Sequence, residues 1–216
     1  MFVGRAFTDR PSVRALAILV GLCTVAADFA LIHAGHGANT MLRLGLAIVA
    51  GLLLLLLARG DLDSVGFRIR PTQGWRVWIR ITTKIAVVLG ILIGCAAVVL
   101  WATHSLGTPP MLSPQEYGPR MLWACATVPW FEEGIYRLAL CAPLATQRRW
   151  PVILLSGVVF ALLHVAYGNP GPDNFLAGFV LAWAYLHSGS IVVPIVLHAF
   201  GNAFALTLHL VTWYAA

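Results

Sequence analysis

Residues 122–144 read LWACATVPWFEEGIYRLALCAPL. An apolar stretch of this length crosses the hydrocarbon core of a bilayer as a helix, for which about 20 residues suffice. Yet Glu132 and Glu133 stand side by side in its middle, and Arg137 follows one turn later. A charged side chain at the bilayer centre costs about 3 kcal/mol even on lenient insertion scales, so the two acids need partners from other helices. The stretch predicts a membrane-embedded helical fold with a polar site inside it.

The rest of the chain agrees. Of 216 residues, 60% are hydrophobic and 10% are charged, and the mean hydropathy is +0.85. A water-soluble domain carries roughly a quarter charged residues, so lipid must replace water over much of this surface. Disorder, a coiled coil and a disulfide-built secreted scaffold are excluded by the same composition. Apolar segments at 15–32, 44–58, 85–103, 122–144, 152–167, 175–187 and 191–213 predict an all-α, polytopic transmembrane helix bundle of about seven spans. The segments 44–58 and 175–187 are short, which suits tilted or re-entrant helices. The chain reads as a single integral membrane domain over 1–216, without the internal repeat common in transporters.

The net charge of +6 is not a nucleic-acid footprint, because the basic residues lie in the gaps between apolar segments. Arg5, Arg10 and Arg14, then Arg68, Arg70, Arg76 and Arg80, then Arg148 and Arg149 fall on one side if the spans alternate. The other side receives Arg43, the pair Glu116 and Arg120, and Asp173. The positive-inside rule then predicts a multi-pass protein of the plasma (inner) membrane with a cytoplasmic amino terminus. The basic stretch 59–84 reads as a cytoplasmic loop, in which Trp75, Val77 and Trp78 suggest an amphipathic segment on the inner leaflet. Trp75, Trp78, Trp123, Trp150 and Trp213 read as interfacial anchors. A cleaved signal peptide is the alternative for the first span, with small residues at Val25-Ala26-Ala27 as its processing site. Asp28 is unusual in either reading and is expected to face other helices. Cys23, Cys95, Cys125 and Cys141 show no close pair and no metal-ligand spacing, and read as reduced packing residues.

The chain has three glutamates, and two of them are Glu132 and Glu133. Glu133 and Arg137 share a helical face at a spacing of four, with the acid toward the amino end, which suits an ion pair. Glu132 is turned away by about 100° and is open to another helix. Two later segments supply partners: Phe160 followed by His164, and His198 followed by Asn202, both pairs at a spacing of four. Measured from the cytoplasmic ends of their spans, Glu132 and His164 lie about twelve and thirteen residues deep, His198 about eight and Asn202 about twelve; at roughly 1.5 Å per residue these are similar depths. A carboxylate with an imidazole in hydrocarbon is a general-base pair able to activate water. His198 and Asn202 are candidates to donate hydrogen bonds to the oxyanion of a tetrahedral intermediate. The catalytic core is placed at about 122–213.

Glu132-Glu133 with Arg137, Phe160 with His164, and His198 with Asn202 resemble the three motifs of the CPBP intramembrane proteases, the family of CAAX prenyl endopeptidases and their bacterial relatives. Ser188-Gly189-Ser190 with Pro194-Ile195 adds to the similarity. The resemblance covers about 130–202, and the amino-terminal spans match only as generic membrane helices. It implies a membrane protease in which Glu132 and His164 activate water and His198 and Asn202 hold the oxyanion. Glu133, Arg137 and Phe160 support the site. The implied substrate is a membrane-associated protein or peptide, prenylated or not, met among membrane lipids; no nucleic acid is expected.

Plainer readings stand beside this one. Glu133 with Arg137 is also explained as a structural ion pair. His187 and His209 read as helix contacts, and His33, His36 and His104 as interfacial residues. The chain lacks His-Glu-x-x-His, paired intramembrane aspartates and Gly-x-Ser-x-Gly. No cofactor is favoured, although Glu132, His164 and His198 form a possible zinc donor set. The alternative function is a non-catalytic scaffold, an immunity-type binding protein or a small transporter using the same polar cluster.

Overall fold

The computed structural model describes residues 3–103, 110–145 and 148–215. Among these are eight helical runs: α1 (Arg5–Thr8), α2 (Pro11–His36), α3 (Thr40–Leu57), α4 (Trp75–Ala102), α5 (114–144), α6 (Trp150–Ala166), α7 (Pro172–Ser188) and α8 (Val192–Ala215). The polarity of the bundle is inverted relative to a soluble protein. Leu19, Leu52, Leu56, Ile91, Phe200 and Phe204 project outward, while Asp28, Arg43, Glu132, Glu133 and Arg137 are buried. An outer surface of this composition is stable only against lipid, and the protein is a helical membrane protein.

The seven long helices coincide with the seven apolar segments. By length and composition, Pro11–His36, Thr40–Leu57 and Val192–Tyr214 qualify as candidate spans, and Trp150–Ala166 is a shorter apolar helix. Two boundaries need correction. The second long helix starts at Thr40 rather than 44, so Arg43 belongs to the bundle interior and not to an external loop. The stretch 59–84 is a loop only as far as residue 74. From Trp75 it is one continuous helix with the third apolar segment, and no separate in-plane segment exists. Arg76, Arg80 and Lys84 depress the local hydropathy, yet at a spacing of four they form one exposed stripe and leave the helix intact.

The two ends of the bundle are fixed by backbone bonds between distant residues. At one end the loop 59–74 is the knot: Gly4 N–H bonds Ser64 O at 2.7 Å, and Thr72 N–H bonds Ser188 O at 2.8 Å. Ile191 N–H bonds Gly66 O at 2.8 Å, Tyr185 Oη donates to Val65 O at 2.8 Å, and Ser190 Oγ donates to Arg68 O. Trp78 is buried here, 5.3 Å from Trp183 between ring centroids, and is a packing residue rather than an interfacial anchor. At the opposite end Leu112 N–H bonds His209 O at 3.1 Å, Trp123 Nε1 donates to Thr40 Oγ1 at 3.0 Å, and Tyr167 Oη donates to Gly37 O at 3.0 Å. The cysteines are free, but only Cys141 is buried; Cys23 and Cys95 lie on the outer surface, which corrects their reading as packing residues.

Candidate active site

The site hangs on the irregularity of α5. Two π-helical turns, Leu122–Thr127 and Gly134–Ala139, bracket the α-helical Val128–Glu133 that carries both acids. Proline explains the first. Val128 N–H reaches back five residues to Trp123 O, and Pro129, the next residue, has no N–H to offer. The carbonyl of Ala124 is therefore skipped by the helix ladder, and Asn202 Nδ2 on α8 donates to it at 2.7 Å. The second turn repeats the device. Leu140 N–H bonds the Arg137 and Ile135 carbonyls, and the skipped Tyr136 carbonyl accepts Ser156 Oγ from α6 at 2.9 Å. Wide turns of this kind recur at functional sites because they free backbone groups and re-aim side chains.

Glu133 is the hub on the α8 side. Its Oε1 accepts from His198 Nδ1 at 2.8 Å, and its Oε2 pairs with Arg137 Nε at 3.1 Å. The Arg137 guanidinium lies over the Phe160 ring at 4.4 Å, and Glu133 and Arg137 are both 0% exposed. The i, i+4 ion pair read from spacing is present, but it also holds His198. With a carboxylate on Nδ1–H, the other imidazole nitrogen, Nε2, is directed at the remaining glutamate.

Glu132 stands between two groups without touching either. Its Oε1 lies 3.8 Å from Arg43 Nη1, and its Oε2 lies 3.9 Å from His198 Nε2. Among the described residues Glu132 Oε2 has no hydrogen-bond partner. Arg43 is itself clamped: Nε and Nη2 donate to Asp28 Oδ1 and Oδ2 at 2.6 and 2.8 Å, and Tyr136 Oη donates to Asp28 Oδ2 at 2.6 Å. Its guanidinium lies over Phe131 at 4.3 Å. Asp28 thus meets the helix partner that its depth demanded. The cluster sets the carboxylates of Asp28, Glu132 and Glu133 against the guanidiniums of Arg43 and Arg137.

The remaining expected residues are near but less directly engaged. Phe160 packs edge-on to Tyr136 at 5.7 Å and lies 6.0 Å from the His198 ring and 4.5 Å from the His164 ring. His164 is half-buried in the last turn of α6, and its Nδ1 donates to the Phe160 carbonyl at 3.0 Å. No hydrogen bond or ion pair joins it to Glu132 among the described residues. A zinc site needs ligands converging within about 2.1 Å of one point. Among the described residues no group of three or more His, Cys, Asp or Glu side chains is clustered in that way, so Glu132, His164 and His198 do not fit a zinc ion. His187 stacks on Trp183 at 5.3 Å, His33 and His36 are exposed at the end of α2, and His104 lies outside the described residues. Arg43 and Tyr136 were missed by the reading of the sequence. The signal for Arg43 was Asp28, an intramembrane acid that required a cation.

Residues 114–204 match the family described as type II CAAX prenyl endopeptidase Rce1-like. Over this part, less than half of its length, the chain is similar to the Rce1-like family. This is the CPBP family that the motifs resemble, and the similarity over these residues suggests an intramembrane protease. The Rce1-like segment runs from the start of α5 into α8 and includes Glu132, Glu133, Arg137, Phe160, His164, His198 and Asn202, but not Asp28 or Arg43. No curated protein and no solved structure matches the chain.

Proposed function

We propose that the protein is an intramembrane endopeptidase that hydrolyses a peptide bond in or next to the membrane. The observation that carries this reading is the gap between Glu132 Oε2 and His198 Nε2. At 3.9 Å it is too long for a hydrogen bond and suited to one water oxygen between the two atoms. Glu132 is the base: as the water oxygen attacks the scissile carbonyl carbon, the carboxylate takes the proton. The oxyanion forms beside His198, which as an imidazolium held by Glu133 donates from Nε2, while Asn202 contributes the amide proton not spent on Ala124. Collapse breaks the C–N bond, and the proton on Glu132 passes to the leaving nitrogen. His164, whose Nδ1–H is committed to Phe160, is placed to relay it through Nε2.

In the same reading the seven long helices all cross the bilayer, the amino terminus is cytoplasmic, and the membrane is the inner one. Substrates are membrane-associated proteins or peptides. The full chain, reconstituted in vesicles with candidate membrane peptides, tests the chemistry. Glu132→Gln keeps the shape of the side chain and removes the base, so turnover is expected to fall by about 10²–10⁴-fold. Unchanged cleavage by this variant rejects Glu132-dependent hydrolysis.

A further inference from the structure

The Rce1-like match ends short of two buried charges that reach into the site, Asp28 on α2 and Arg43 on α3. Resting on the protease reading above, we infer that Arg43, locked by Asp28, is a positioning residue that fixes which oxygen of Glu132 receives the water. The geometry is specific. Two of the guanidinium nitrogens are spent on Asp28 in a fork at 2.6 and 2.8 Å, and such a bidentate pair fixes the guanidinium plane. Phe131 packs on its face at 4.3 Å, and Tyr136 Oη holds the Asp28 carboxylate from behind at 2.6 Å. The third nitrogen, Nη1, donates to the Gly37 carbonyl at 3.5 Å and from that position lies 3.8 Å from Glu132 Oε1. Oε1 is drawn to Arg43 and Oε2 is left facing His198.

The electrostatics separate this role from plain charge compensation. Asp28 and Arg43 neutralise each other, so together they bring no net charge to Glu132. Their effect on the carboxylate is therefore directional. The backbones are close enough to transmit it: a Cβ on Gly134, next to Glu133, would sit 2.9 Å from Ala47 Cβ on α3. A misplacement of about 1 Å in a reacting group costs about 10²-fold in rate, which sets the expected size of the effect.

Removing one partner of a buried ion pair threatens folding, whereas replacing the whole pair by apolar residues is commonly tolerated. The decisive variant is therefore Asp28→Leu with Arg43→Met in a Tyr136→Phe background, so that no hydroxyl is orphaned. Thermal unfolding in detergent, followed by circular dichroism, establishes that it folds. With Tyr136→Phe as the reference, kcat is expected to fall about 10²-fold with KM within about threefold. Arg43→Lys, which keeps both charges and removes the fork, is expected to lose about tenfold in kcat and to serve if the triple variant does not fold. Glu132→Gln is assayed beside them. If Glu132→Gln is inactive while both Arg43 variants keep the turnover of their references, the positioning role is overturned and the protease reading stands. If Glu132→Gln is itself active, both are overturned.

Discussion

Glu133 engages two side chains, Arg137 and His198, one through each oxygen, so the ion pair read from sequence is joined to a second helix. Arg137 holds the carboxylate, the carboxylate holds His198 Nδ1, and His198 Nε2 faces Glu132, the base of the proposed reaction. Fold and function part company in the variants. Arg137→Met leaves the buried Glu133 without its guanidinium partner and is expected to cost about 3–5 kcal/mol in thermal unfolding. Adding Glu133→Gln should recover most of that stability and none of the activity, because His198 no longer has an anion on Nδ1. Recovery of both would assign Glu133 and Arg137 to structure alone. The spacing of Glu133 to Arg137 was readable because it is local to one helix. Arg43 was not. It sits at the start of an apolar run, where a cation ordinarily faces the interface, and its partner Asp28 comes from the preceding helix across the turn at Gly35, whose φ is 80°.

At the scale of the element, α5 is not a uniform helix. Its two wide turns change which carbonyls are free, and each freed carbonyl is claimed by a side chain of another helix: Ala124 by Asn202 and Tyr136 by Ser156. Asn202 therefore fastens α8 to α5 in addition to any part it takes in catalysis, and a loss of activity in an Asn202 variant has two causes to separate. Ser156 offers the cleaner measurement, because it is fully buried and lies outside the proposed machinery. Ser156→Ala removes the hydroxyl from the Tyr136 carbonyl, which the Cys141 thiol also approaches at 3.4 Å. A cost of about 1–3 kcal/mol in thermal stability is expected. No loss would mean that the second wide turn does not depend on α6. Helix existence could be read from hydropathy, and Pro129 marked a break in the ladder of α5. The accommodation of that break depended on Asn202 of α8, which no local pattern contains. α6 packs closely on α7 at Gly178, where a Cβ would lie 2.8 Å from the Gly157 carbonyl.

At the scale of the molecule, the distribution of charge argues for an orientation more strongly than the sequence did. Every Lys and Arg except Arg43, Arg120 and Arg137 lies at, or within about three helical turns of, the end knotted by the loop 59–74. Arg43 and Arg137 are inside the bundle, and Arg120 is paired with Glu116 at 3.2 Å. Moving Arg43 from an external loop to the interior leaves the opposite end with no unpaired arginine or lysine among the described residues. Loop cations resist translocation, so the knotted end is expected in the cytoplasm. The loop itself is held by charge. Arg68, hydrogen-bonded to Asp63, keeps that carboxyl below the ordinary aspartate range. Its support therefore persists at neutral pH and weakens only as acid carries the pH down through the lowered value. Two exposed positions then decide the topology at neutral pH: Arg70 at the knotted end and Asn169 at the other. In cells, with the native cysteines replaced, Arg70→Cys should react with a membrane-impermeant maleimide only after permeabilisation. Asn169→Cys should react at once. The reverse pattern would invert the protein in the membrane and turn the knotted end outward. Labelling of both positions in intact cells would show that the helices between them do not cross an odd number of times.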